Sequence, residues 1–570
     1  MTAQDTPGLT VAEAYMSALS ASGVKYVFAN GGTDFAPIIE GIVHMSGQGA
    51  KIPQFLTVPH ENVAIAMAQG YSKVSGEPSC VMVHVNVGTA NTICGLMNAA
   101  RDNVPVLLAA GRTPVTESGL HGSRDVPIHW AQENFDQAAI VREHVKWDYE
   151  LRHGQPVNTL VQRALDIAMS EPQGPVYMTL PREVLAEHHK DHGPAPRGRA
   201  LGSMAAAPSA TAIDMAADMI AKAEMPLIIA GHPSKTAAAF LKLGELVTDN
   251  AIMIVQNGAY NNLSSSNPMN LGILTPALLE KADLVIVLDS AVPWLPLRMT
   301  PRRDAKLMHI AHDPMFARYP FRGFEMDLAV AGDPGAAVGM LCEALRGKLK
   351  GQERSIDARR KVIADMRAKQ DEQLQAAILQ ASTMAPISPL WVAACLNKVK
   401  EKDAIICDEL GVPFPAMQLE SHDAWVSGSS GALGMGLGQM LGAKVAAPNR
   451  QVIGIVGDGS YMFGVPTAAH FVARSEKIPT LTLVMNNSQW FAVRRATMSM
   501  YPTGHASKAN QLPIVELAPS VDYEKIVEAC GGHGEKVEDP AKLEAALRRG
   551  LEKVAAGIPV TLAITTRPRG

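Results

Sequence analysis

Short apolar runs that end in a glycine turn, each paired with a longer amphipathic stretch, recur along most of this 570-residue chain. Near the start "VAEAYMSALSASG" has the 3.6-residue period of a helix, and "VKYVFANGG", "SCVMVHVNVG" and "VPVLLAAG" read as strands. "MPLIIAGH", "AIMIVQNG", "ADLVIVLDS" and "KLMHIAHD" continue the pattern through the middle, and "QVIGIVGDG" and "LTLVMNN" through the last third. Strands that are apolar without a break suit sheets covered on both faces. The fold class is therefore α/β, with parallel sheets flanked by helices.

A chain of this length outgrows one hydrophobic core, so about three domains are expected. We place the first at 1–186 and a linker at 187–212, where Pro, Gly and Ala displace the periodicity. A central domain at 213–350, a polar helical connector at 351–385 read as solvated, and a last domain at 386–570 follow. His188, His189 and His192 in the linker lack cysteine or carboxylate partners and read as a solvated loop rather than a metal site. The last third echoes the first: "SPLWVAACLNKVKEKDAIICDELG" repeats the helix, strand and glycine-turn order of "TVAEAYMSALSASGVKYVFANGG". Two related units then flank a third.

The balance of 51 basic to 55 acidic residues gives no electrostatic case for nucleic acid or an anionic membrane surface. No apolar run approaches the ~18 residues of a membrane span, and the ligand is expected to be small. Six cysteines without C-x-x-C spacing, and a start without a signal pattern, read as reduced and cytoplasmic.

In open parallel sheets ligands lie beyond the carboxyl ends of the strands. Asp458, between Gly457 and Gly459, and Asn487, at the close of "LTLVMNN", both stand at such ends. A carboxylate with an amide oxygen is a hard, all-oxygen set suited to Mg²⁺ rather than Zn²⁺, and Mg²⁺ so sparsely held by protein usually bridges phosphates. The N–H groups after Gly459, read as opening the helix "VPTAAHFVARSEK", favour the same anion.

"GDGSYMFG" through "NNSQW", together with "PHENVAIAMAQGYSKVSGEP", "GPVYMTLPREV" and "SSGALGMGLG", resembles the thiamine diphosphate-dependent enzymes, specifically the group of acetohydroxyacid synthases, pyruvate oxidases and benzoylformate decarboxylases. The resemblance runs over nearly the whole chain. It implies pyrimidine-binding, central and diphosphate-binding domains, in that order. It also implies thiamine diphosphate with Mg²⁺ held by Asp458, Asn487 and the backbone carbonyl of Gln489, and with Gly457, Gly459 and Ser460 at the cofactor. Glu61 matches the activating acid that hydrogen-bonds the aminopyrimidine ring; the plainer reading of Glu61 and Asn62 is a cap on the helix they open. By the same resemblance Leu433 bends the cofactor, a carbonyl at Gly431 contacts its amino group, and each site is shared between subunits of a homodimer or homotetramer.

Within the group, "FANGGTDF" and "VHVNVGTAN" are similar to benzoylformate decarboxylase, where Thr33 matches a substrate-contacting serine and His84 a catalytic histidine. His60 precedes Glu61 as in the synthases. The second catalytic histidine of benzoylformate decarboxylase has no counterpart in "DSAVPWLPLRMTP". The flavin-contacting arginine pattern of the synthases is missing there too, which argues against FAD, and Ala496 stands where they carry tryptophan. Trp490, Phe491 and Val493 are expected to wall the acceptor pocket, with Arg494 and Arg495 on a carboxylate or a CoA phosphate. The activity implied is a thiamine diphosphate- and Mg²⁺-dependent C–C lyase or carboligase acting on a 2-oxo acid, giving an aldehyde or an acyloin. The rival readings are an acetolactate synthase, a 2-hydroxyacyl-CoA lyase related to oxalyl-CoA decarboxylase with an acyl-CoA substrate, and a catalytically silent cofactor-binding regulator.

Overall fold

A computed structural model of the chain describes residues 8–188, 191–194, 199–428 and 431–567, which leaves His189 of the linker and Ser429 and Ser430 of "SSGALGMGLG" outside the described residues. Three sheets are present, and every strand pairing in them is parallel. The first holds β1 (Tyr26–Ala29), β2 (Gln54–Thr57), β3 (Ser79–Val83), β4 (Val106–Arg112), β5 (Asp148–Glu150) and β6 (Val176–Pro181) in the order β2-β1-β3-β4-β6-β5. The central one holds β7 (Pro226–Ala230), β8 (Met253–Gln256), β9 (Leu284–Leu288), β10 (Lys306–Ala311) and β11 (Leu328–Ala331) in the order β11-β10-β9-β7-β8. The last holds β12 (Ile405–Glu409), β13 (Trp425–Val426), β14 (Val452–Gly457), β15 (Leu481–Asn486), β16 (His533–Val537) and β17 (Val560–Thr565) in the order β13-β12-β14-β15-β17-β16. First and last sheets thus share one topology, and the echo read in the sequence extends to strand order.

That topology fixes where a ligand can sit. In both outer sheets the order reverses after the second strand, so the crevice opens between the ends of β1 and β3 in one and of β12 and β14 in the other. The two sheets are joined by packing of the Glu61–Ser75 helix on the Gly436–Ala446 helix, whose buried Val63, Met67, Leu437, Met440 and Leu441 belong to one core. The crossing is so close that a Cβ on Gly442 would lie 1.9 Å from the carbonyl oxygen of Met67, and one on Gly438 would lie 2.4 Å from the Ala66 Cβ. The central sheet keeps a core of its own, with Ile228, Leu246, Val285 and Leu341 among its members.

Three expectations change. The connector is no solvated arm: its helix Glu353–Ala381 buries Ile363 and Arg359 against the central unit. Arg359 donates to the carbonyls of Ala223, Glu224 and Asn250, and so supplies the partners that the C-termini of the Ala210–Lys222 and Ala237–Asp249 helices lack. Charge density along the sequence hid this, because it does not show which guanidinium finds enough carbonyls to offset the cost of leaving water. His188 and His192, likewise, are not merely solvated; their ring nitrogens bond the carbonyls of Gly8 and Leu9 ahead of the first helix. "SCVMVHVNVG" is a strand only to Val83, and the chain then turns into the helix Val85–Asn91 with His84 at its N-cap. Alternating Val-His-Val-Asn-Val carries strand periodicity straight through that turn. Among the described residues no helix is long and apolar enough to cross a membrane.

Candidate active site

The crevice of the last sheet is a cavity of about 760 Å³ lined from the ends of β12, β14 and β15 and from the loop ahead of the Gly436–Ala446 helix. That size lies within the range of small-molecule sites. Asp458 follows β14 directly and is 2% exposed. Its Oδ1 accepts from the Gly459 N–H at 2.9 Å and its Oδ2 from the Ser488 N–H at 2.6 Å. Burial pushes the carboxyl above the ordinary range, with those N–H groups opposing it. A carboxylate in that condition gains from a cation.

The two asparagines after β15 divide the work. Asn486 is structural: its Oδ1 accepts from the Ser488 N–H and hydroxyl, and its Nδ2 donates to the Ser520 hydroxyl. Asn487 lines the cavity, with its Oδ1 accepting only from the Gln489 N–H at 3.1 Å. The Gln489 carbonyl accepts from the Phe491 N–H at 2.9 Å and has a second lone pair. Among the described residues no three His, Cys, Asp or Glu side chains cluster as a metal site. One carboxylate with two amide-type oxygens fits a hard cation that takes its other ligands from a phosphate.

Gly457 and Gly459 serve different ends. A Cβ on Gly459 would sit 2.1 Å from the Trp490 ring, so glycine there admits the tryptophan. On Gly457 it would meet nothing nearer than the Ser460 hydroxyl at 3.9 Å, at an ordinary φ of −65°. The chain itself does not require glycine at 457, and its absent side chain leaves the backbone there open to close approach. Gly459 and Ser460 belong to a six-residue helix, Asp458–Phe463, and the helix expected to open at this point begins only at Pro466.

Leu433 is half-buried and lines the cavity instead of entering the core, and Gly431 beside it has φ +82°. Three side chains hold their loop, among them Asn62, whose amide donates to the Gly434 carbonyl at 3.3 Å. Glu409, at the end of β12, accepts from the N–H groups of Gly434 and Gly436 at 2.7 and 2.6 Å, and burial pushes its carboxyl up to about 7. Asn98, from the first unit, brackets the Ala432 backbone with both ends of its amide. Trp490, Phe491, Val493 and Arg495 complete the wall. Arg494 does not: its guanidinium donates to the Asn510 side chain at the surface, because one step along the Phe491–Met500 helix turns it away while Arg495 faces the cavity.

At the switch point of the first sheet stand Thr33, Glu61 and His84. Thr33 is exposed and opens a 3₁₀ turn after β1 whose other two residues, Asp34 and Phe35, are buried. His60 is the N-cap of the Glu61–Ser75 helix and accepts from the Asn62 N–H through Nδ1. The cap is therefore His60, and the buried Glu61 carboxylate is left to accept from the Asn91 amide at 3.0 Å. His84 bonds Asp34 through Nδ1 at 2.5 Å and lies 3.3 Å from the Gln132 amide through Nε2. The Asp34 hydrogen bond is the largest influence holding its pKa above the ordinary histidine value, against burial, with the charge of Glu61 adding to it.

None of Thr33, His60, Glu61 or His84 lines the cavity that contains Asp458. Sequence reasoning passed over Asp34, Asn91, Asn98, Gln132 and Glu409. Of these, Asp34 carried a signal: an acid in a glycine turn at a strand end, the same pattern that singled out Asp458.

Residues 9–140 match the N-terminal thiamine pyrophosphate binding domain of thiamine pyrophosphate enzymes, 213–341 their central domain and 414–563 their C-terminal thiamine pyrophosphate binding domain. The chain belongs to this family, as a thiamine diphosphate-dependent enzyme of the group that includes acetolactate synthase and benzoylformate decarboxylase. It is 25% identical over 575 residues to the acetolactate synthase large subunit of Mycobacterium tuberculosis, covering 96% of this chain and 94% of that protein. To the benzoylformate decarboxylase of Pseudomonas aeruginosa it is 24% identical over 581 residues, covering 98% and 99%. The thiamine diphosphate-dependent 4-hydroxybenzoylformate decarboxylase of Rhodococcus jostii superposes with a TM-score of 0.79 at 21% identity over 98% of this chain and 99% of that one, a likeness of fold.

Proposed function

We propose that the protein is a thiamine diphosphate- and Mg²⁺-dependent C–C lyase or carboligase acting on a 2-oxo acid, with a pocket of benzoylformate decarboxylase type. The observation that carries this reading is His84, partly exposed at the switch point of the first sheet, within the electrostatic reach of Glu61 and held in a carboxylate hydrogen bond. In this reading Asp458, Asn487 and the Gln489 carbonyl would hold Mg²⁺, and Gly457 and Ser460 would leave room for the diphosphate. Gly431 and Leu433 would contact the cofactor from the loop ahead of the Gly436–Ala446 helix. The cofactor supplies a nucleophilic carbon and a sink for the electron pair left when CO₂ departs.

The remaining work is done by the chain. Glu61 exchanges a proton with the aminopyrimidine ring. His84 gives a proton to the substrate's carbonyl oxygen as it becomes an alkoxide and takes it back at release, while Thr33 contacts the substrate carboxylate. Trp490, Phe491 and Val493 exclude water from the acceptor side, and Arg495, in place of Arg494, is the cation available there.

The test is a panel of aryl and alkyl 2-oxo acids, alone and with acceptor aldehydes, assayed for CO₂, aldehyde and acyloin in the presence of thiamine diphosphate and Mg²⁺. Release of CO₂ that is lost in excess chelator is the expected result. Cleavage of 2-hydroxyacyl-CoA thioesters, with every 2-oxo acid inert, would establish the acyl-CoA rival. Cofactor binding with no turnover of either class would leave the regulator.

A further inference from the structure

Asp34 lies in the 3₁₀ turn Thr33–Phe35 and is 3% exposed. One of its oxygens bonds His84 Nδ1; the other, Oδ2, is buried without a hydrogen-bond partner. An acid so placed, with half its acceptor capacity unused, is expensive unless its charge serves a partner. The surroundings are shaped for the pair: a Cβ on Gly111 of β4 would lie 1.4 Å from Asp34 Oδ2, and one on Gly32 would lie 2.2 Å from His84 Nδ1. Val85, next to His84, is held at φ +30°, a conformation that β-branched residues avoid and that tends to persist at functional sites.

We propose that Asp34 is the positioning residue of His84, fixing the Nδ1 proton so that Nε2 is the nitrogen that gives and recovers the reaction's proton. The turnover part of this inference rests on the function proposed above; the titration part does not. The charged groups facing His84 are Asp34 from the turn after β1 and Glu61 from the head of the Glu61–Ser75 helix, while the 113–135 loop offers the neutral Gln132 amide. In the proton transfer, imidazolium Nε2–H protonates the substrate oxygen and leaves neutral imidazole, whose Nδ1–H still points at ionised Asp34. At release the proton returns to Nε2. Asp34 itself never takes it.

The sign follows from the direction of the shift. Asp34 raises the pKa of His84, so imidazolium persists to higher pH, and removing that charge lets the ring lose its proton at lower pH. Diethyl pyrocarbonate attacks only neutral imidazole, and peptide mass spectrometry reads its rate at His84 as a function of pH without any substrate. In Asp34→Asn the half-point of that rate should fall by about one pH unit, and turnover of the 2-oxo acid should fall on the order of 10-fold or more.

In a His84→Gln background Asp34→Asn should cost nothing further, and the melting shift on adding thiamine diphosphate with Mg²⁺ should match wild type throughout. An unmoved half-point overturns the proposal. So does an equal loss of turnover from Asp34→Asn with and without His84, which would make Asp34 a support of the fold alone. If no 2-oxo acid is turned over, the function proposed above fails while the half-point still decides the Asp34–His84 pairing.

Discussion

Glu61 is spared the work of capping its own helix because His60 takes the Asn62 N–H. Its carboxylate, buried and bonded to the Asn91 amide, is free for proton exchange. Glu61→Gln keeps size and hydrogen bonding but cannot exchange a proton. We expect it to retain the cofactor-linked melting shift while slowing hydrogen–deuterium exchange at the thiazolium C2, followed by quenched-flow NMR, by ~10²-fold or more. Exchange at the wild-type rate would remove Glu61 from this role. Glu409 differs in kind, since burial raises its pKa to about 7. A raised carboxyl stabilises the fold fully below the unfolded value and loses that contribution as pH rises through the folded one. The cofactor-free protein should therefore lose melting temperature between about pH 5 and 8, and Glu409→Gln, which cannot ionise, should lack that component; parallel melting curves for the two proteins would refute it. Asp458 and Asn487 could be read from sequence because their signals are local, glycines and an amide at strand ends. Asn98 and Glu409 could not, since Ala432 and Gly434, which give them meaning, are brought to them only by the fold; Asp34 carried the local signal, but its pairing with His84 is made by the fold.

At the scale of elements, the Glu61–Ser75 and Gly436–Ala446 helices meet backbone to backbone, and their register sets where Glu61 stands relative to the Leu433 loop. Gly442 permits this with no special φ; it lacks only a Cβ, which would lie 1.9 Å from the Met67 carbonyl oxygen. Backbone on the opposing helix cannot swing aside as a side chain could. Gly442→Ala should therefore destabilise by about 1–3 kcal/mol, as overpacking does, and lower turnover through displaced elements although it touches neither half-site. Full turnover at an unchanged melting temperature would show that the crossing tolerates a shift. Apolar periodicity made most of the strands legible, since runs such as "LVIVL" are buried throughout. It did not reveal which helices touch, nor that β3 stops at Val83, because period-two alternation is shared by a strand and by the residues that happen to follow one.

For the whole molecule, the decisive fact is that the cavity holding Asp458 is reached from the first unit by Asn98 but not by Glu61, Thr33 or His84. We propose that the glutamate half-site at the switch point of the first sheet and the cation half-site at that of the last are completed from another chain. A two-fold homodimer does this with one kind of contact used twice. Asp458→Ala removes the carboxylate proposed to hold the cation, so thiamine diphosphate with Mg²⁺ should no longer raise its melting temperature by mass action on the folded state. Glu61→Gln removes the acid. Neither variant should turn over substrate by itself. In a dimer of one chain of each kind, one site combines both lesions, but the other pairs the intact Glu61 of the Asp458→Ala chain with the intact Asp458 of its partner. Co-expression with two different affinity tags isolates that mixed dimer, and it should regain one working site of two. If each site were built within a single chain, both sites of the mixed dimer would carry a lesion and activity would stay at the level of the separate variants, so a silent mixed dimer of confirmed mass would rule out shared sites.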